Sequence, residues 1–201
     1  MKNIILISAF ILLFSTGNFA QVVDKAEDIC PLLVGETLPN EQVMNLENEP
    51  VELLSMLKQK PTVLVFYRGG WCPYCNIQLA ALAEAEPEIL KLGYQIVAIS
   101  PEGNENLQPT IEKDSINYQL FSDPDGNLIE KMGIAFKTKT PSKVYASGRT
   151  KGKVSDVLPV PTVMIVNTDG AILFEYINPN YKQRLSTKLL LAVLNGLEEE
   201  D

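Results

Sequence analysis

The sequence predicts an α/β domain in which a mixed central β-sheet is flanked by helices. Thr62–Phe66 is a short apolar run rich in β-branched residues, as expected of a buried central strand. An amphipathic stretch over residues 73–92 separates this run from a second buried-strand candidate at 94–100, and strand, helix, strand at this spacing predicts a right-handed βαβ unit. Thr162–Val166 and residues 172–176, joined by Asn-Thr-Asp-Gly, predict a β-hairpin.

The remaining elements are predicted from their apolar positions and from the Gly and Pro residues between them. In chain order they are a leading segment (21–42), a short strand (43–46), a helical turn (53–58), a helix after Pro101, a strand that ends at Phe121, a short helix (127–132) and a closing helix (185–197). Pro87 is expected to kink or divide the long helix. Residues 137–158 are polar, basic and contain Gly and Ser, so they are expected to form a long surface excursion.

The length and composition predict one globular domain behind an export signal. The chain has 201 residues, of which 46% are hydrophobic, which is enough for a self-sufficient core that we assign to residues 21–201. Residues 1–20 have the form of a signal peptide, with Lys2, an apolar stretch over residues 4–14 and a cleavage site after Ala20. The alternative is an uncleaved anchor, but the apolar stretch is shorter than the roughly 20 residues that span a bilayer. We therefore expect a periplasmic or secreted protein without stable membrane insertion after cleavage.

Charge and residue usage exclude several function classes. The net charge of −8 argues against nucleic-acid binding, which depends on Lys and Arg that neutralise phosphates. The chain has no histidine, so it lacks the usual general base and the commonest metal ligand. Three cysteines cannot supply the four ligands of a structural zinc site. We therefore expect no metal and no cofactor, and the chemistry that remains is that of thiols.

The thiol chemistry is predicted at Cys72 and Cys75. Cys72 follows a Gly pair and stands at the start of the predicted helix, where free backbone N–H groups and the helix dipole lower a thiol pKa. Pro73 suits the first helical turn because no N–H is needed there. Cys75 lies on the same helical face, so the two thiols can form a reversible disulfide. A permanent structural disulfide is the alternative, but so short a loop would restrict the unfolded chain little.

Three further residues have two or more interpretations each. Arg68 either adds a cation near the thiolate or only marks the end of the strand. Trp71 could shield the reactive sulfur or form part of a docking surface, and the alternative is that it only packs the loop onto the core. Cys30 is a buried apolar residue, a resolving thiol or a chance free cysteine, and we favour the passive interpretations.

The segment over residues 63–75 resembles the strand and active-site turn of thioredoxins. Val160-Pro161-Thr162 resembles their cis-proline loop, which lies against the CxxC and contacts the substrate chain. The resemblance implies a cis bond at Pro161. The pair Pro73-Tyr74 between the two cysteines resembles glutaredoxins, and this likeness implies a moderately oxidising potential.

The wider chain is similar to peroxiredoxins of the alkyl hydroperoxide reductase and thiol-specific antioxidant superfamily. The likeness is carried by residues 34–39, 96–101 and 122–126 and by the predicted hairpin. The best match is a peroxiredoxin-like group with an Arg-Gly-x-Trp-Cys-Pro-Tyr-Cys turn, which the segment 178–185 also resembles, and the likeness covers about residues 31–195. It implies a thioredoxin-like fold with a peroxiredoxin-like N-terminal extension and insertions.

The sequence departs from both families at residues that matter for mechanism. Alignment to the peroxiredoxin pattern Pro-x-x-x-Thr-x-x-Cys puts Arg68 at the proline, Cys72 at the threonine and Cys75 at the peroxidatic cysteine. The arginine that such enzymes hold near the peroxide falls on Val160, and the buried acid of thioredoxins falls on Phe66.

Two catalytic functions and one binding function are compatible with these residues. The leading hypothesis is an exported thiol–disulfide oxidoreductase in which Cys72 attacks a protein disulfide or delivers its own disulfide. Cys75 would resolve the mixed disulfide, and Pro161 would position the substrate backbone. Trp71, Arg68, Pro73 and Tyr74 would support the site. The first alternative is a peroxidase that acts on a small hydroperoxide, with Cys75 peroxidatic, Cys72 resolving and a thiol as electron donor. The second alternative is a non-catalytic redox-sensing domain.

Overall fold

The computed structural model describes residues 22–198, so the predicted signal peptide lies outside the described residues. The strands are β1 (Gln42–Met44), β2 (Pro50–Glu52), β3 (Thr62–Phe66), β4 (Gln95–Ser100), β5 (Gln119–Ser122), β6 (Ala135–Lys137), β7 (Val157–Pro159), β8 (Thr162–Val166) and β9 (Ile172–Ile177). The helices are α1 (Leu53–Leu57), α2 (Pro73–Lys91), α3 (Leu107–Asp114), α4 (Asn127–Lys131), α5 (Thr140–Ser147) and α6 (Thr187–Glu198). Short 3-10 helices cover Ala26–Asp28 and Asn104–Asn106.

A seven-stranded mixed sheet forms the centre of the molecule, in the order β2-β1-β5-β4-β3-β8-β9. Strands β3, β4 and β5 are parallel, whereas β8 runs antiparallel to β3 and to β9. The βαβ unit β3-α2-β4 and the hairpin β8-β9 are therefore confirmed. Strands β6 and β7 form a separate antiparallel pair.

Strand β3 is buried on both faces because helices cover both sides of the sheet. Its side chains alternate, so that Val63 and Val65 belong to one apolar cluster and Leu64 and Phe66 to the other. The first cluster takes residues from α2, α3 and α6, and the second takes residues from α1 and α4. This double burial fixes the carboxyl end of β3, and the turn that follows it carries the two cysteines.

Helix α2 runs without interruption through Pro87, so the expectation that this proline divides the helix is wrong. Pro87 is exposed and lacks the N–H of one intrahelical hydrogen bond, but Leu82 and Ile89, buried on either side of it, hold α2 in the core. Ile77, which the apolar pattern assigned to the buried face, is 68% exposed. Between Val22 and Glu198 no helix has both the length and the apolar character needed to cross a membrane.

The predicted surface excursion over residues 137–158 is in part regular structure. It contains α5, which begins with Thr140 and Pro141, and most of β7. A proline in the first helical turn costs no hydrogen bond, and Ala146 anchors the helix because it is fully buried in the first apolar cluster. Helix α5 thereby lies close to the cysteine-bearing turn, as described next.

Candidate active site

The turn after β3 places Cys72 at the N-cap of α2. Its backbone is extended (φ −90°, ψ 113°), and its carbonyl accepts hydrogen bonds from the amides of Cys75 (3.0 Å) and Asn76 (3.1 Å). Pro73 occupies the first helical turn, as the sequence predicts. The side chain of Cys72 makes no capping hydrogen bond to the backbone. The thiol therefore stands where helix N-termini favour a negative charge.

The environment of Cys72 favours its thiolate. The pKa of Cys72 falls to about 6, chiefly because the Cys75 thiol donates a hydrogen bond to the Cys72 sulfur. Burial opposes this shift, and the Cys75 amide and the guanidinium groups of Arg68 and Arg184 add to it. At neutral pH most Cys72 is then ionised, whereas an ordinary thiol is mostly protonated.

The environment of Cys75 favours its protonated form. Its side chain is fully buried, and burial raises its pKa well above the ordinary value, with a further rise caused by the neighbouring Cys72 thiolate. Arg184 Nη2 lies 3.4 Å from Cys75 Sγ and acts in the opposite direction. Neither cysteine forms a disulfide in this structure, so the pair is in its dithiol form. The two thiols thus differ: the surroundings of Cys72 favour its thiolate, and those of Cys75 favour its protonated form.

Arg68 lies beside Cys72, between two aromatic rings. Its guanidinium carbon is 4.9 Å from the ring centre of Trp71 and 4.5 Å from that of Tyr181. Nη2 donates to Ser142 Oγ at 3.3 Å, and the side chain is only 6% exposed. The rings favour the cation through their π-electrons. Of the two interpretations of Arg68, the geometry agrees with a cation near the thiolate.

A cavity of about 300 Å³ opens onto Cys72. It is lined by residues of the cysteine turn, of α5 and of the segment after β9, namely Arg68, Trp71, Cys72, Pro73, Tyr74, Pro141, Ser142, Tyr145 and Tyr181. Edge-to-face ring contacts join Trp71 to Tyr145 and Tyr74 to Tyr181. Trp71 is 7% exposed and belongs to the core cluster, so it both packs the loop and lines the cavity.

Glu102 holds the loop in front of Cys72. Its carboxylate accepts hydrogen bonds from the Gly70 amide at 2.6 Å and from Thr150 Oγ1 at 2.8 Å. Burial raises the pKa of this carboxyl group. The neighbouring Gly69 has φ of +138°, and a Cβ there would lie 2.5 Å from Trp71 Nε1, so this position requires glycine.

We call residues 178–186, which join β9 to α6, the C-terminal arm. Asn178 and Asn180 shape it, because their side-chain oxygens accept hydrogen bonds from the amides of Asn180 (2.9 Å) and Lys182 (3.3 Å). The arm brings Tyr181 to the rim of the cavity and Arg184 to Cys75. Two distant parts of the sequence therefore meet at the dithiol.

The expectation of a cis bond at Pro161 is wrong, since no described residue has a cis peptide bond. The trans form is intrinsically preferred, and it lets the chain continue from β7 to β8 while the Val160 amide donates to the Ile134 carbonyl at 2.9 Å. Pro161 is buried and is not among the residues that line the cavity. Its carbonyl accepts a hydrogen bond from the Asn178 amide at 3.2 Å, at the base of the C-terminal arm.

Cys30 lies apart from this cavity. Its side chain is exposed, and it lines a different, smaller cavity with Val22, Ile29 and Gly133. The interpretation of Cys30 as a buried apolar residue is therefore wrong, because the leading segment lies on the surface beside Gly133. The structure brings Arg68, Trp71, Pro73 and Tyr74 together around Cys72, but it does not bring Cys30 or Pro161 to that cavity.

Several residues of the site were not singled out from the sequence. Ser142 and Tyr145 lie in the segment expected to be a surface excursion, and Tyr181 and Arg184 lie in the C-terminal arm. Glu102 was part of a polar stretch after a strand. The one available signal was position, because residues after the carboxyl ends of parallel strands gather at one edge of the sheet. Glu102 follows β4 in this way, and the cysteine turn follows β3.

Comparison with known proteins supports the expected class. The putative peroxiredoxin bcp of Haemophilus influenzae is 31% identical over 115 residues, which cover 57% of this chain and 74% of that protein. A thioredoxin-like protein of the same organism is 30% identical over 124 residues, covering 61% of this chain and 68% of the relative.

Solved structures show the same fold. Reduced Prx3 of Vibrio vulnificus in complex with hydrogen peroxide superimposes with a TM-score of 0.69 at 17% identity, over 81% of this chain and 99% of that one. Peroxidoxin BcpB of Mycobacterium tuberculosis gives 0.63 at 19% identity, over 82% and 97%. These matches and the mixed sheet confirm the predicted thioredoxin-like fold.

The AhpC/TSA family profile matches residues 34–174, which is more than half of the chain. This match confirms the peroxiredoxin resemblance and the expected class of oxidoreductase. The chain belongs to the AhpC/TSA family.

Proposed function

We propose that this protein is a thiol peroxidase in which Cys72 attacks the hydroperoxide and Cys75 then forms a disulfide with it. The observation that carries the proposal is the contrast between the two thiols. Both side chains are buried, but Cys72 lines the cavity and has a lowered pKa, whereas Cys75 is absent from the cavity lining and has a raised pKa. The peroxiredoxin relatives support hydroperoxide as the substrate class.

The order of the cysteines in this proposal differs from the peroxidase alternative drawn from the sequence. There, alignment to the peroxiredoxin pattern made Cys75 peroxidatic. A peroxidatic sulfur must be ionised and must reach the peroxide. In the dithiol form the pKa of Cys75 is raised and Cys75 is not among the residues that line the cavity, whereas the pKa of Cys72 is lowered and Cys72 does line it. The alignment follows the position of a motif, whereas reactivity follows the environment of the sulfur.

The proposed reaction has two chemical steps. In the first, Cys72 Sγ attacks one peroxide oxygen, the O–O bond breaks, the sulfur is oxidised to a sulfenic acid, and the other oxygen leaves with a proton as alcohol or water. In the second, the Cys75 sulfur attacks Cys72 Sγ, the S–O bond breaks, and water leaves as the disulfide forms. A thiol donor then reduces the disulfide by exchange and returns both thiols.

The decisive experiment compares wild type, Cys72→Ser and Cys75→Ser with hydrogen peroxide and an alkyl hydroperoxide. We expect Cys72→Ser to lose peroxide consumption. We expect Cys75→Ser to consume one equivalent and to stop at a sulfenic acid that dimedone traps on Cys72. Sulfenic acid on Cys75 in the Cys72→Ser protein, formed at the wild-type rate, would overturn this assignment.

A second candidate function is thiol–disulfide exchange with a protein substrate. The N-cap position of Cys72 and its three-residue spacing from Cys75 favour it, because both suit attack on a disulfide. The same three proteins tested on a protein disulfide measure this activity. If exchange is fast and peroxide consumption stays at background, the second candidate replaces the first. If both stay at background, the non-catalytic redox-sensing alternative applies.

We also propose that the protein is exported, to the periplasm or the medium, after removal of residues 1–20. The support is the charged start, the short apolar stretch and the small residue Ala20 in the sequence. N-terminal sequencing of the protein from cell fractions tests this. Export predicts a mature chain that begins at Gln21 outside the cytoplasm, and an intact Met1 in the cytoplasmic fraction contradicts it.

A further inference from the structure

We infer that Arg184 is a catalytic residue of the disulfide-forming step, where its guanidinium stabilises the Cys75 thiolate that attacks Cys72. The inference rests on the proposed function for the identity of the step. Its physical content, a cation that stabilises charge on the Cys75 sulfur, is independent of the substrate.

The geometry of Arg184 points to Cys75. Nη2 lies 3.4 Å from Cys75 Sγ, which is the acceptor that the structure gives this side chain. Nε and Nη1 are buried and have no hydrogen-bond partner among the described residues. Buried donors without partners are costly, more so when they carry charge. The guanidinium is therefore held beside a thiol that is too weak an acceptor to satisfy it.

Cys75 becomes a strong hydrogen-bond acceptor for Arg184 when its thiol ionises. A thiol is a weak acceptor, whereas a thiolate carries a full negative charge that a guanidinium can bind with several N–H groups. No ion pair of Arg184 with a carboxylate occurs among residues 22–198. The charged state of Cys75 is thus the state that satisfies Arg184.

The reaction removes the groups that oppose ionisation of Cys75. In the dithiol, the Cys72 thiolate accepts the Cys75 hydrogen and repels a second negative charge. The Tyr67 hydroxyl interacts electrostatically with Cys75 but is protonated, because burial raises its pKa far above the ordinary value. Once Cys72 is a neutral sulfenic acid, the repulsion is gone, and Arg184 is the charged side chain in contact with the Cys75 sulfur.

The step then balances as follows. Cys75 loses its proton and its thiolate attacks Cys72 Sγ, so that the S–S bond forms and the S–OH bond breaks. The departing hydroxide takes up the proton and leaves as water. The sulfenic sulfur is reduced and the thiolate sulfur is oxidised, and no further oxidant is needed. Arg184 lowers the barrier because the charge develops on the atom that it contacts.

The test uses the full chain with Arg184→Met, which removes the charge at similar length, and Arg184→Lys, which keeps the charge without the planar fork. Lys182→Met is the matched control, because Lys182 is an exposed cation of the same C-terminal arm. Trp71, the single tryptophan, lines the cavity with Cys72, so its fluorescence follows both oxidation steps in a stopped-flow instrument.

We expect Arg184→Met to slow the second fluorescence phase about tenfold, because one pKa unit of lost thiolate stabilisation corresponds to about a factor of ten. Arg184→Lys is expected to recover part of the rate, and Lys182→Met to match wild type. A direct readout is the thiolate absorbance of Cys75 in a Cys30→Ser, Cys72→Ser background, whose midpoint should rise by about one pH unit on Arg184→Met. Equal midpoints and equal second phases in Arg184→Met and Lys182→Met would overturn the inference.

The two readouts separate this inference from the proposed function. If Cys72 does not react with hydroperoxide, the proposed function fails, while the Cys75 midpoint still reports whether Arg184 stabilises the thiolate. If Arg184→Met does not fold, as judged by circular dichroism, Arg184→Lys and Arg184→Gln provide the same comparison with and without charge. Sulfenic acid that accumulates on Cys72 in the Gln variant but not in the Lys variant supports the inference, and equal trapping contradicts it.

Discussion

The Gly70 amide donates a hydrogen bond to the Glu102 carboxylate, with 2.6 Å between the nitrogen and Oε2. A residue just after β4 therefore positions the loop that leads to Cys72. Glu102→Ala leaves this amide without its partner and is expected to lower the free energy of unfolding by about 1–3 kcal/mol. Glu102→Gln keeps an acceptor oxygen and is expected to lose much less. Urea unfolding measures both, with Glu105→Gln, which removes a neighbouring exposed carboxylate, as control.

The stability of the wild type and that of Glu102→Gln should depend differently on pH. Burial raises the pKa of Glu102 in the folded state above its unfolded value, so folding favours the protonated acid. Its contribution to stability is complete below the unfolded pKa and is lost as the pH rises through the folded pKa. Wild type should therefore lose stability relative to Glu102→Gln over that range. A constant difference from pH 4 to 7 contradicts this.

Alkylation of the reduced protein should follow the ionisation of Cys72. Because the pKa of Cys72 is lowered to about 6, the rate with iodoacetamide should rise through pH 6 and level off above pH 7. Arg68→Met removes a cation that favours the thiolate, and we expect the midpoint to move upward by about one unit. Arg149→Met is the control, because Arg149 lies on the cavity-lining ring of Tyr145 but is not among the groups that shift the pKa of Cys72. Fast labelling of Cys75 with Cys72 inert contradicts the assignment.

The aromatic lining of the cavity should favour bulky apolar hydroperoxides. Tyr145→Ala removes a ring that lines the cavity, and a contact between this ring and a bound aryl group would be worth about 1 kcal/mol. We therefore expect KM for an aryl hydroperoxide to rise about fivefold while kcat/KM for hydrogen peroxide is unchanged. Val144→Ala is the control, because Val144 is the exposed neighbour of Tyr145 in α5 and lies outside the cavity lining. An equal loss for both substrates indicates damage to the thiol site and not to substrate selection.

Cys30 should be dispensable for turnover. It is exposed and lines a different cavity from Cys72, so the intramolecular disulfide needs only Cys72 and Cys75. We expect Cys30→Ser to keep the wild-type rate and to yield the same Cys72–Cys75 disulfide by peptide mass mapping. A product that links Cys30 to either cysteine in the wild type, together with a slower Cys30→Ser variant, would assign Cys30 a resolving role.

Local patterns predicted the centre of the fold because they are set by neighbours in sequence. The apolar run of β3, the N-cap position of Cys72 and the hairpin β8-β9 each depend on a few consecutive residues. The interruption expected at Pro87 did not occur, since a long helix that is packed on the core before and after the proline tolerates one missing hydrogen bond. The helix α5 was hidden by its polar surface, because only Ala146 is buried.

The rest of the site depends on contacts between distant residues, which no local pattern reveals. Arg68 contacts Ser142 and Tyr181, and Cys75 contacts Arg184. These residues are far apart in the sequence and are brought together only by tertiary packing. The resemblance to the thioredoxin loop implied a cis Pro161 that lies against the CxxC and contacts the substrate, but the bond is trans and Pro161 is not among the residues that line the cavity. Motifs therefore located the two cysteines of the candidate site, while their surroundings could be seen only in the folded chain.

The C-terminal arm lies beyond residue 174, where the match to the AhpC/TSA profile ends. It nevertheless places the Tyr181 ring against Arg68, the cation beside Cys72, and it places Arg184 beside Cys75. A change in this arm would therefore alter the surroundings of both thiols while the pentapeptide Trp-Cys-Pro-Tyr-Cys stays the same. Two chains with the same pentapeptide but different arms would hold their cysteines in different electrostatic environments.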